Sequence, residues 1–318
     1  MGESVDAALS RASAQREDEE LGASMAEPVA VRVYRPAEPL QSYVTFFYVV
    51  ESAVPLTDFL YPEWGNVRFP LSGRWTVEVA GFPPNDPNRA SLFGPTDRHG
   101  VIRTDGGRAV GFGMTPIGWH RLVDGPAHRL ANNATPLAKR LGFDGEALHA
   151  ELARERSDDA LVARLEACLA ERIAKLPPIR PMVLTVDRAL RSRPATVAAF
   201  TEAAGLTERT LQRICLATFG FGPKRLLRLQ RFLDTLGHVR SAVGERVSGS
   251  LAESYYDEAH FYRDFRDLMG MSPRAYFQAK RPLMAKAAAA QIEAGVTLSF
   301  RLPPQPGEAA APAEHKPG

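Results

Sequence analysis

The sequence predicts an α+β chain: an antiparallel β domain with trailing helices, then an all-α domain built from two helix-turn-helix subdomains. Three observations predict it. Short β-branched and aromatic runs, broken by Gly and Pro clusters, fill the stretch from Val29 to about Thr115. From Pro116 onward the apolar residues recur at helical spacing. Near the C-terminus one pattern occurs twice, with cores about 50 residues apart.

The β part is legible as runs of four to eight residues: Val29–Tyr34, Tyr43–Val50, Asn66–Leu71, Trp75–Val79 and Ala109–Met114. Turn clusters such as Phe82–Asn88 (FPPNDPN) separate them, which argues for an antiparallel sandwich or barrel. Helical spacing follows at Ile117–Val123, Asp144–Arg154 and Asp158–Leu176, where Leu161, Leu165, Cys168, Leu169 and Ile173 share one face. Pro177 and Pro178 then end the helix and mark a domain boundary. The expected organisation is a disordered segment 1–27, a β-rich sensing or oligomerisation domain 28–176, a helical domain 178–281 and a disordered Pro/Ala-rich tail 303–318. Translation could begin at Met1 or at Met25.

Composition narrows the function classes. A chain of 318 residues suits two domains, and 45% hydrophobic with 24% charged residues is ordinary globular composition. No apolar run approaches the ~20 residues needed to cross a bilayer, and the acidic start (Arg16–Glu20, REDEE) does not read as a secretory signal. Two cysteines, Cys168 and Cys215, cannot make a disulfide framework or a zinc cluster, so a cytoplasmic protein is expected. The seven histidines never take metal-ligand spacing, and Gly111–Gly113 lacks the third glycine of a dinucleotide fingerprint. No nucleophile elbow or Cys–His pairing is present, so the expectation is a non-enzyme without metal or cofactor. The formal charge of +2 hides an asymmetry: residues 180–281 hold 17 basic against 10 acidic residues, and the remainder 22 against 27. A basic third on a slightly acidic body fits a nucleic-acid-binding module, although many basic faces are merely solvated.

The helical domain carries the functional signal. In Thr196–Thr218 (TVAAFTEAAGLTERTLQRICLAT), Thr196 caps a helix to Ala204 and Gly205 ends it. Thr207 then caps a second helix whose Leu211, Ile214 and Thr218 face inward. Glu208, Arg209, Gln212 and Arg213 remain outside. Arg reads guanine and Gln reads adenine through paired hydrogen bonds, so this helix has suitable readers. The bland alternative is a helical hairpin with a charged, solvated face. A long helix from about Pro223 to Leu236 follows, with Lys224 and Arg225 as candidate phosphate partners. Then Ser250–Phe277 repeats the logic: Asp257 caps a helix in which Phe261, Phe265 and Leu268 face the core. Phe219–Arg225 (FGFGPKR) and Met269–Arg274 (MGMSPR) end the two units alike.

The runs TERTLQRICLATFGFGPKRLLRLQRF and YYDEAHFYRDFRDLMGMSPRAY resemble the C-terminal domain of the AraC/XylS regulators over residues 180–281. Residues 29–140 resemble the cupin-type (jelly-roll-like) β domain of some of those regulators. The resemblance implies two helix-turn-helix subdomains joined by one helix, double-stranded DNA as partner, and an N-terminal part that senses a small-molecule effector or forms a homodimer. RNA polymerase would be a further partner if the protein activates. The candidate DNA-facing set is Thr207, Arg209, Thr210, Gln212, Arg213, Lys224 and Arg225 in the first unit and long helix. In the second unit it is Asp257, Glu258, Ala259, Tyr262 and Arg263. Two departures from the family pattern stand out: Thr201 replaces a small Ala, and Ser254 replaces the second turn glycine. With Glu258 and Asp264 also expected outward, the first unit is predicted to dominate base reading. The expected alternative function is a ligand-binding or enzymatic β domain with a vestigial helical appendage. Phe46, Tyr48, Trp64 and Trp75 are candidates to line a ligand pocket, with plain core as the commoner role for such aromatics.

Overall fold

The computed structural model describes residues 27–86, 88–241 and 258–296. The expected disorder of 1–26 and of 303–318, the turn at Ser254 and the cap at Asp257 lie outside the described residues. Among the described residues there are nine strands: β1 (Val29–Tyr34), β2 (Val44–Ser52), β3 (Leu56–Leu60), β4 (Asn66–Pro70), β5 (Trp75–Val79), β6 (Ser91–Phe93), β7 (Gly100–Thr104), β8 (Gly107–Met114) and, after the first helix, β9 (Ala134–Pro136). They form a six-stranded sheet in the order β1-β2-β8-β4-β6-β9 and a three-stranded sheet β3-β7-β5. The strand pairs are antiparallel throughout. The helices are α1 (Pro116–Leu122), α2 (Gly145–Leu152), α3 (Asp158–Ala174), α4 (Pro181–Arg191), α5 (Val197–Ala204), α6 (Glu208–Phe219), α7 (Pro223–Ser241), α8 (Glu258–Met269), α9 (Pro273–Gln278) and α10 (Pro282–Glu293).

Strand β2 shows how the β domain is layered. Its side chains alternate between faces, as extended backbone requires. Phe47 and Val49 pack with Phe69, Val110 and Phe112 against the helical side, where Trp119, Leu148, Leu161, Leu165 and Leu169 cover the sheet. Val50 joins Trp75, Val77, Phe93 and Ile102 between the two sheets. Both faces are covered, so VTFFYVV reads as one continuous apolar run instead of an alternating one.

Strands β3, β6, β7 and β9 are not visible in the sequence pattern, being short or interrupted by charges such as Asp58 and Arg103. The expected helices appear within one or two residues of their predicted ends, except α7, which runs to Ser241, five residues beyond the expected Leu236. Helix α3 runs to Ala174, short of Leu176, with Ser157 as its N-cap. Cys168 is half-buried beside that helix's core and Cys215 is fully buried, and burial pushes the Cys215 thiol up to about 12.

Two helices were not foreseen. Helix α4 opens the C-terminal part and buries Val183, Val186 and Leu190. Helix α10 lies beyond the expected domain end at 281 and packs back on β1 and β3. The domain boundary is no open linker either: Trp64 and Ile117 of the β domain belong to the same core as Phe200, Phe219, Phe232 and Phe265.

Candidate nucleic-acid interface

The first helix-turn-helix follows from local chemistry. Thr196 Oγ1 accepts from Ala199 N at 3.1 Å and starts α5. Gly205 ends it at φ 62°, a conformation that costs a side chain-bearing residue on the order of 1 kcal/mol. Thr207 Oγ1 accepts from Thr210 N at 3.3 Å and starts α6. Leu211, Ile214, Cys215, Thr218 and Phe219 are buried along one side of α6, while Arg209, Gln212 and Arg213 are exposed on the other. Among the described residues neither arginine makes an ion pair. Thr201, the departure from the family pattern, donates its hydroxyl to Val197 O at 2.8 Å and is accommodated within its own helix.

The second unit is held differently. Phe261, Phe265, Leu268 and Met269 on α8 are fully buried, and the Phe265 ring meets Phe232 of α7 at 5.5 Å and Tyr276 of α9 at 5.5 Å. Asp264, expected on the outer face, is only 3% exposed. Its carboxylate takes Arg228 Nε at 2.8 Å and Nη2 at 2.7 Å. The correction has a plain cause: Phe261, Asp264, Phe265 and Leu268 stand at i, i+3, i+4 and i+7, so the spacing places Asp264 inward, and the pairing with Arg228 makes that burial tolerable.

Tyr262 (39% exposed) and Arg263 do face outward. Glu258 and Ala259 belong to the first turn of α8. In the first unit Thr207 is exposed as the cap and Thr210 is half-buried against it. The Gln212 amide lies over Gly222, where a Cβ would fall 2.9 Å from Nε2.

Lys224 is exposed at the start of α7, but Arg225 beside it is engaged. Arg225 Nε donates to Asp97 Oδ2 at 2.6 Å, Nη2 to Asp97 O at 3.2 Å, and Nη1 to Asp267 Oδ2 at 3.2 Å. Arg228 adds a bond from Nη1 to Asp267 Oδ2 at 2.5 Å. The two arginines hold the Asp267 carboxyl below the usual carboxylate range, against the opposing effect of burial. The candidate phosphate partner Arg225 is therefore a bridge between the β domain, α7 and α8.

Asp97 belongs to the connection 94–99 between β6 and β7, which the sequence did not single out. This connection reaches both units at their echoing turns. Pro95 packs on Gly220, where a Cβ would lie 2.5 Å from Pro95 Cγ. His99 N donates to Leu268 O at 2.7 Å, and its ring covers Gly270, where a Cβ would lie 2.2 Å from Cε1. Trp64 meets Phe219 in a tilted ring contact at 5.9 Å, and the Tyr61 and Tyr276 hydroxyls hydrogen-bond directly. The repeated Gly of FGFGPKR and MGMSPR thus makes room for one loop of the β domain at two places. Nothing local in GPTDRHG announces this, because its partners lie more than 120 residues away.

The helix-turn-helix domain family matches residues 200–279, from within α5 to the end of α9. No curated protein matches the chain. Among solved structures, ToxT from Vibrio cholerae is similar at 10% identity over 79% of this chain and 98% of its own, with a TM-score of 0.43. A structure of ToxT with an unsaturated fatty acid bound has 10% identity over 79% and 96%, with a TM-score of 0.42. The AraC-like transcriptional activator CuxR has 15% identity over 65% and 86%, with a TM-score of 0.25. The C-terminal part of this chain is a helix-turn-helix domain of the AraC type, the DNA-binding part of a transcription regulator.

Proposed function

We propose that the chain recognises one DNA site chiefly through α6, with α8 as a weaker clamp and the β domain as the part that senses an effector or pairs two copies. The observation that carries this reading is the exposed row Arg209, Gln212 and Arg213 on a helix capped by Thr207 behind a left-handed Gly205. These side chains have the geometry to enter a major groove and the donors to read base edges. Lys224 stands at the adjoining helix start as a phosphate partner. The chemistry is binding, not catalysis, and the expected setting is the cytoplasm, with RNA polymerase as partner if the protein activates.

The loop 94–99 gives the β domain a route to both DNA-binding units. A change in that loop would alter how the units are held relative to each other. The experiment is selection of bound genomic fragments with the full chain, followed by titration of one selected duplex at rising salt. Affinity should fall steeply with salt, because phosphate neutralisation releases counterions. Flat affinity from low to moderate salt would count against the whole reading.

A further inference from the structure

We propose that the cavity between the two sheets of the β domain binds a small, uncharged, mainly apolar molecule carrying one hydrogen-bond acceptor, read by Arg68 and enclosed by the C-terminal helix α10. The proposal rests on the reading of this domain as the sensing part of a regulator, and it names what is sensed. The cavity has a volume of about 100 Å³, with Phe46, Val50, Trp75 and Val77 on the sheet side and Leu283 and Met284 of α10 opposite. A dry apolar cavity of about 150 Å³ holds benzene, and this one is about a third smaller, so its occupant is at most a single six-membered ring, seated with a small outward shift of α10. A long chain or a nucleotide would have to push α10 away.

The polar reader sits in the same wall. Arg68 on β4 donates from Nη2 to Glu63 Oε1 at 2.5 Å and from Nε to Tyr48 Oη at 3.2 Å. Tyr48 Oη in turn donates to Asn66 Oδ1 at 2.8 Å, and the guanidinium lies 4.5 Å over the Phe93 ring. These contacts fix the arginine and leave its Nη1, which is buried, without a hydrogen-bond partner. A guanidinium has five N–H donors in a rigid fork, and a buried donor gains most from an acceptor that water cannot supply. The charge of Arg68 is already met by Glu63, each side chain about 15% exposed. The other cation of the lining, Arg89, is 47% exposed and already paired with Glu146 at 2.8 Å, so a ligand carboxylate would bring a second buried negative charge with no buried cation to meet it. A carbonyl oxygen satisfies Nη1 without that cost, so a ketone, ester, lactone or amide is the class that fits.

The enclosure connects the cavity to the DNA-binding part. Asp58, fully buried on β3, accepts from Leu283 N and Met284 N, both at 2.9 Å, and so caps α10 from another domain. Just before that helix, Arg281 Nη1 donates to Tyr276 Oη at 2.6 Å and to Tyr61 Oη at 3.4 Å. The wall of the cavity is therefore continuous with α9 of the second helix-turn-helix unit.

The test is calorimetric titration of the full chain with three probes of one size: cyclohexanone, methylcyclohexane and cyclohexanecarboxylate. Cyclohexanone should bind at least about tenfold more tightly than the other two. The paired variant R68M/E63Q keeps the wall neutral and should remove that preference while leaving methylcyclohexane binding unchanged. Amide exchange in α10 should slow when cyclohexanone is bound. Equal binding of ketone and hydrocarbon would overturn the role of Arg68, preference for the carboxylate would overturn the uncharged class, and no heat with any probe would overturn the site. DNA binding is measured separately on the same preparation. Its loss with intact cyclohexanone binding would strike the regulator reading alone, and the converse would strike only the ligand site.

Discussion

The two helix-turn-helix units look alike in sequence and use their charges in opposite ways. The first is built from its own caps and apolar face, and its arginines at 209 and 213 stay outside with Gln212. The second devotes Asp264 and Asp267 to gripping Arg228 and Arg225 of the linking helix. Those carboxylates fix α8 to α7. The difference teaches that a charged residue in a repeated motif takes its meaning from the face it occupies. The first unit leaves its charged side chains outside, and the second uses its carboxylates to be held.

The largest expected effect tests how the second unit is held. Phe265→Ala removes the ring shared by Phe232, Phe261 and Tyr276 and should cost about 3–5 kcal/mol in urea unfolding of the full chain. A loss under about 1 kcal/mol would mean that the unit is not organised around this cluster.

Next comes the charge comparison itself. Asp264→Ala leaves Arg228 short of its main partner and should cost about 2–4 kcal/mol of stability, less than a fully buried pair because Arg228 is 28% exposed at its side chain. Arg209→Ala should leave stability within about 0.5 kcal/mol. If Asp264→Ala instead tightened DNA binding at unchanged stability, that carboxylate would be facing DNA after all.

The readers themselves give the third comparison. Arg209→Ala, Gln212→Ala and Arg213→Ala should each weaken a selected site by about 1–3 kcal/mol and relax preference at one base pair. Tyr262→Ala and Arg263→Ala should cost less and act alike on all sequences. A base-by-base scan with equal penalties in both half-sites would erase the asymmetry. Smaller again, Thr207→Ala should cost about 1 kcal/mol of stability through its lost cap, and a null result in thermal unfolding would show that the tertiary contacts of α6 make the cap redundant.

Much of the first unit was legible because its signals are local: Thr196, Gly205, Thr207 and a 3.6-residue period stand within two dozen residues. The second unit was legible for its apolar stripe but not for Asp264, where the charge was allowed to outweigh the spacing. In the β domain the long strands β1, β2, β4, β5 and β8 stood out. Of the four aromatics suggested for a pocket, Phe46, Tyr48 and Trp75 do line it, while Trp64 packs at a tilt on Phe219 between the domains. What could not be read were pairings of residues far apart in the chain. Asp97 with Arg225 and Asp58 with α10 have no periodicity, and their residues look like ordinary surface charges until the fold joins them.

The smallest expected effect separates the two contacts of loop 94–99. At the second unit the contact is titratable: burial beside Gly270 lowers the His99 pKa from its ordinary value of 6.5, against a hydrogen bond to the Leu268 carbonyl that works the other way. The docked state therefore holds its proton less tightly than the undocked one. Docking of α8 should be at full strength above about pH 6.5 and weaken as pH falls below it. At the first unit the packing residue is Pro95, which carries no titratable group, and the His128 ring nitrogen Nδ1 lies 3.3 Å from Leu216 O. Acid should spare that contact. Amide exchange corrected for its intrinsic pH dependence should thus accelerate around Leu268–Gly270 between pH 7.5 and 5.5 and stay level around Leu216–Gly220. In His99→Gln the acceleration should vanish. Equal acceleration in both places, or persistence in the variant, would show that His99 is not the group that distinguishes how the two units are docked.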